Sequence, residues 1–347
     1  MTTIAGELAH GADWAPMSGE DLAHPELATS AAQRYVAQLK SAEGRAESEP
    51  GTRARGALIE TTESAVTLGR GLTMAEVKFN FLSLGHAAIE DQRLFINEFQ
   101  LGLGYDGAPI LVMGTETAGD AKKAETLVWD CLLTALILSN SPQPVVEGLL
   151  RESPWWTDLE SRGRPSDPWR PFHVHPNDLY QVQKDRGRQT WKVIADVVAP
   201  DPAHPEAVLR QGAEPGLGDL TYQIERSGLP ALRAAGGAKP TPARTEWLEQ
   251  EVIPALRQTA SVLVVHGYGH DYRDWMPADK RLFEAFLGRP VEMQGETVAG
   301  QWLWHDAADG RLVIYCHALS GAISRAYLSR AYLGKVRRLV QGCLSAT

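Results

Sequence analysis

A carboxylate and an imidazole each stand at the end of a short apolar run. Pro109-Ile-Leu-Val-Met leads into Gly114, Thr115, Glu116, Thr117, Ala118 and Gly119. Leu312-Val-Ile-Tyr-Cys leads into His317, Ala318, Leu319, Ser320 and Gly321. Such runs suit buried strands of a parallel sheet, whose carboxyl ends open into a ligand crevice. Glu116 and His317 are then a usable pair for acid, base or electrostatic chemistry.

Other residue groups compete for a chemical role. His266-Gly-Tyr-Gly-His270 has i,i+4 spacing, and His173 and His175 stand close together. The first pair follows a strand-like run and flanks two glycines, so helical spacing has no meaning there, and no Glu completes a zinc motif. No metal and no cofactor is expected. Cys131, Cys316 and Cys343 are few, distant and odd in number, which predicts no disulfide framework.

Elements that position Glu116 and His317 follow from periodicity. Thr241 to Arg257 reads as a helix, and Ser261 to Gly267 as the strand after it. Ala31 to Leu39 has helical spacing, as do Glu76 to Leu103 and Asp120 to Leu138. Trp191 to Val198 reads as a strand. Residues 41–56 have loop composition, and residues 200–243 are rich in Pro and Gly and read as a surface insertion. The repeat Ser-Arg-Ala-Tyr-Leu at 324–328 and 329–333 is a local duplication, because a period of five does not return to one helix face. The expected architecture is α/β: three layers (αβα) with a short parallel central sheet. An N-terminal helical extension with its linker occupies residues 1–75, and the α/β domain residues 76–347.

In their order, these strand ends resemble the uracil-DNA glycosylase superfamily. In that family an early strand ends in Gly-x-acid or Gly-x-Asn, a helix leads to a strand ending near Gly, and a late strand ends in His-Pro-Ser. The resemblance runs from about Ile110 to Val340. Thr117 stands where the family has a proline, and Ala318 and Leu319 replace Pro-Ser, with Ser320 one place late.

The resemblance implies a monofunctional DNA glycosylase that flips a pyrimidine, hydrolyses its N-glycosidic bond and leaves an abasic site, in repair or in anti-phage defence. Glu116 then stabilises the cationic sugar and orients water, and His317 stabilises the departing base anion. No lysine in either motif offers lyase chemistry. Gly114, Thr115 and Ala118 line the base pocket, with Trp129 as the stacking aromatic and Asn177 as the reader of the pyrimidine edge. Trp155, Trp156 and Phe172 rival Trp129. Uracil-specific members carry a Tyr where this chain has Ala118, so a base larger than uracil, such as a C5-modified cytosine, is expected. His266, Gly267, Ser320, Arg325 and Arg330 are expected to meet DNA. Two alternatives stay open: an N-glycosidase acting on a free nucleoside or nucleotide, and a catalytically inactive nucleic-acid-binding relative.

Composition sets limits on these readings. The 347 residues suffice for one large core or two small ones. The net charge of −9 argues against indiscriminate nucleic-acid binding. From Arg311 onward, however, there is no Asp or Glu, while Arg311, Arg325, Arg330, Lys335, Arg337 and Arg338 are present. An acidic body with one basic face fits a protein that meets DNA on one side. A second basic cluster, Arg162 to Lys192, is diluted by acids. With no apolar span of membrane length and no signal-peptide pattern, a cytoplasmic protein without a membrane partner is expected, and no obligate protein partner is evident.

Overall fold

The computed structural model describes residues 23–41, 104–117, 187–210, 213–230, 240–267, 272–317 and 328–346, with isolated positions at 56, 59, 63, 98, 99, 102 and 319. The chain divides into two units, residues 1–101 with 119–163 and residues 102–118 with 164–347.

In the first unit, helix α1 spans Pro25–Ser41. Leu27, Ala31, Tyr35 and Leu39 recur at four-residue spacing and are all buried, which is the stripe expected of an amphipathic helix. Glu26 in its first turn and Lys40 in its last complement the helix dipole. The Arg34 guanidinium lies 5.9 Å from the centre of the Phe99 ring. Glu98 and Phe99 form a turn, inside the segment that periodicity extends as helix to Leu103.

The second unit is built on a six-stranded sheet of order β2-β1-β3-β6-β5-β4. Its strands are β1 (Ile110–Thr117), β2 (Thr221–Pro230), β3 (Val262–Gly267), β4 (Gln294–Val298), β5 (Gln301–Ala308) and β6 (Arg311–His317). β2, β1, β3 and β6 are parallel. β5 and β4 continue the sheet antiparallel through two hairpins. The sheet is therefore mixed, a correction to the expected parallel one. Ala299 and Gly300 close the first hairpin and Asp309 and Gly310 the second, all with positive φ, as two-residue hairpin turns demand.

Residues 200–243 also need correction. They carry β2, an outer strand of the sheet, within the stretch that composition marks as an insertion. Trp191 to Val198 belongs to helix α2 (Gly187–Val198), not to a strand. Val193, Ile194, Val197 and Val198 are all buried, and their spacing gathers them on one helical face. A short apolar run does not distinguish the two states by itself.

Helix α3 runs through Pro242–Trp247, a π-helical segment Leu248–Val252, and Ile253–Leu256. The Thr241 side chain caps it by accepting from the Arg244 N–H. Pro254 lacks an N–H and crowds the carbonyl four residues back, and the wider winding just before it absorbs that conflict. Helix α4 spans Tyr272–Leu287 and helix α5 spans Arg330–Leu344, capped by Ser329.

Every residue of β3 is buried, as is Leu312 to Cys316 of β6. Successive strand residues face opposite ways, so both faces of these strands are covered. Register identifies the covers. Glu296, Leu303, His305 and Ile314 share one face, where Lys335 of α5 pairs with Glu296 at 3.0 Å. Thr297, Trp302, Trp304 and Tyr315 share the other, where Phe283 of α4 meets Tyr315 edge-on at 6.1 Å. α2 joins the α5 layer: Gln341 donates to the Val198 carbonyl at 2.9 Å, and Arg337 donates to the Asp196 carbonyl.

Candidate active site at the carboxyl edge of the parallel strands

β1 lies between β2 and β3, so the strands that follow it in the chain are laid down first on one side of it and then on the other. Such a switch point opens a crevice outside the carboxyl ends of the strands. The ladder between β1 and β3 ends at the pair Met113↔Val265. Beyond it, β1 carries Gly114, Thr115 and Glu116, and β3 carries His266 and Gly267. On the next strand, Gly267 is the register partner of His317. Glu116, Gly267 and His317 therefore end three adjacent parallel strands at the same edge.

Glu116 is the register partner of Ser227 on β2, and the register jumps immediately afterwards, with Thr117 opposite Pro230. An irregularity of this kind ends regular pairing and re-aims the strand beside a crevice. Gly114 is buried, and a Cβ there would lie 2.0 Å from the Glu225 carboxylate. The glycine of the first motif thus admits the Glu225 side chain across β1.

His317 is half-buried at the end of β6. Its main-chain N–H donates to the Tyr332 hydroxyl, and the two rings meet edge-on at 6.1 Å. His266 is 6 % exposed, and its Nδ1 has no hydrogen-bond partner among the described residues. Burial, and then the nearby Arg226 charge, push its imidazole down to about 3. The buried ring is neutral at physiological pH. Gly267 follows it, where a Cβ would come within 3.1 Å of the Tyr315 hydroxyl.

Arg226, on β2, was not among the residues the sequence singled out. It is 4 % exposed and pairs with Asp279 of α4, 2 % exposed, at 2.6 Å. Its Nε donates to the Gly114 carbonyl at 3.1 Å and a terminal nitrogen donates to the His266 carbonyl at 3.4 Å. Burial pushes the Asp279 carboxyl above its ordinary value, against the pull of Arg226. Nearby, Arg244 is 1 % exposed, donates to the Glu225 carbonyl at 2.6 Å and lies over the Trp247 ring at 5.1 Å. No motif marks these arginines in the sequence. They lie in or beside the stretch whose composition reads as insertion.

Arg330 is exposed at the first position of α5. Thr115 and Glu116 lie in β1, and their side chains are outside the described set. Ala118, Trp129, Asn177, Ser320 and Arg325 lie outside the described residues. Among the described strands, β2 ends in Ser227, Gly228, Leu229 and Pro230, without an Asn. Among the described residues no group of three His, Cys, Asp or Glu side chains is placed to hold a metal ion, and no helix is long and apolar enough to cross a membrane.

Comparison of the chain with protein-family models, with curated proteins and with solved structures returned no match. The described residues define an α/β protein with a six-stranded mixed sheet whose strand order switches direction beside β1.

Proposed function

We propose that the protein is a monofunctional DNA glycosylase that hydrolyses the N-glycosidic bond of a flipped pyrimidine, in repair or in anti-phage defence. One observation carries this reading. The three strand ends that resemble the glycosylase motifs in sequence order are neighbours in space, with β1, β3 and β6 bringing Glu116, Gly267 and His317 to one edge. In the reaction the C1′–N bond breaks and the base leaves with the electron pair, while water adds its oxygen to C1′ as a hydroxyl and gives up a proton that neutralises the base anion. A carboxylate at Glu116 favours the positive sugar, and a donor at His317 favours the anionic base.

A second reading has its own support. Of the basic residues beyond residue 310, Lys335 is engaged with Glu296, and Arg337 lies 3.9 Å from the Asp196 carboxylate. Fewer cations then remain for phosphates, which favours an N-glycosidase acting on a free nucleoside or nucleotide.

The experiment is incubation of the protein with genomic DNAs carrying different modified pyrimidines, and with the matching free nucleosides. Released base and abasic sites are measured. Release from DNA alone supports the glycosylase. Release from nucleosides alone supports the second reading, and release from neither removes both.

A further inference from the structure

Beyond the last β1–β3 pair, Met113↔Val265, two adjacent parallel strands separate. The next residues, Gly114 and His266, are buried, and the main-chain carbonyl of each is a strong acceptor. Both accept from one guanidinium, that of Arg226, at 3.1 and 3.4 Å. Arg226 itself arrives from β2 and is held by Asp279 of α4 at 2.6 Å. A single buried side chain thus ties together β2, β1, β3 and helix α4. Two of its bonds fall directly beside the proposed working residues, two positions before Glu116 and one before Gly267.

We infer that Arg226 is a positioning residue: its guanidinium, locked by Asp279, fixes the separation of the β1 and β3 ends across the crevice. Only a planar fork with donors in several directions fits this place. An ammonium is a point charge on a flexible stem and does not span both carbonyls and the carboxylate. Asp279 supplies the counter-charge and the orientation of the fork. A crevice whose lips are held apart by a rigid strut keeps its width when a ligand enters, which preorganises the site. This inference deepens the reading of the crevice as a glycosidase site. Its structural part is testable without any substrate.

The test uses the full chain with two variants. Arg226→Lys keeps the charge and removes the fork. The double variant Arg226→Met/Asp279→Leu replaces the pair by apolar side chains, a change buried ion pairs often tolerate in folding. Amide hydrogen exchange is followed at Thr115, Glu116 and Gly267, with the core of β3 and β6 as internal reference, and Tm is measured. In both variants exchange at the three strand ends is expected to quicken roughly tenfold, the factor of one lost hydrogen bond. Exchange at Val264 and Ile314 changes much less. On any DNA or nucleoside that the wild type cleaves, kcat falls while KM is nearly kept, because ground-state binding does not depend on the exact separation.

Unchanged exchange at the strand ends overturns the inference. So does quickening that is uniform across the sheet, which would make Arg226 an ordinary core strut. Failure of both variants to fold has the same meaning. If the wild type cleaves nothing, the glycosidase reading fails, while the exchange result still decides the role of Arg226.

Discussion

The His317 main-chain N–H donates to the Tyr332 hydroxyl at 3.1 Å, and that hydroxyl donates onward to the Trp302 carbonyl at 2.9 Å. One phenol from α5 thereby closes the gap between the end of β6 and the start of β5. It fixes the backbone of the residue proposed to face the departing base. The phenol is fully buried, and burial raises its pKa above the ordinary tyrosine value, so it remains a neutral donor and acceptor. Tyr332→Phe removes both hydrogen bonds and should cost roughly 1–3 kcal/mol of stability. His317→Ala keeps this bond and should fold normally, with base release slowed by about 10²–10³. Denaturant unfolding and single-turnover rates separate the two. An unfolded His317→Ala protein counts for a structural histidine.

Glu116→Gln should lower kcat by about 10²–10⁴ while DNA binding survives, since the charge acts on the transition state. Rates and binding isotherms on one verified oligonucleotide decide it. Normal turnover by the variant removes Glu116 from the chemistry.

His266 gives a pH dependence. Its folded pKa of about 3 lies below the ordinary value of 6.5. The unfolded chain therefore binds a proton that the folded chain refuses. The contribution is fully present above pH 6.5 and shrinks as pH falls toward the folded value. The slope is about 1.4 kcal/mol per pH unit in that window. His266→Gln should flatten the slope between about pH 6 and pH 4. Urea unfolding of both proteins across that range measures it, and parallel curves would mean that the buried ring is not the source.

Arg330 begins α5 exposed, and Arg325 precedes it by five residues. Replacing both by Ala should weaken DNA binding and reduce the slope of log K against log salt by roughly 1–2, as fewer counterions are released. Cleavage of a free nucleoside should be unchanged. An unaltered salt slope places the DNA-binding face elsewhere.

The sequence alone determined the apolar runs that became β1, β3 and β6, because fully buried parallel strands read as continuous apolar segments bounded by turn residues. It also determined α1 and α3, whose spacing and capping residues, Thr241 among them, are local properties. Pairing is not local. That β1, β3 and β6 stand side by side, and that β2 arises from a Pro- and Gly-rich stretch, follow from contacts between residues about a hundred positions apart, such as Gly114 and Glu225. Trp191 to Val198 illustrates the ambiguity of a short apolar run, which its neighbours Arg337 and Gln341 on α5 resolve as helix. Glu116, Gly267 and His317 were legible because each ends a strand at a visible break in pattern. Arg226 was not, since an arginine in a sequence reads as surface. Only the carbonyls of Gly114 and His266 and the carboxylate of Asp279, brought together by the tertiary fold, make its burial favourable.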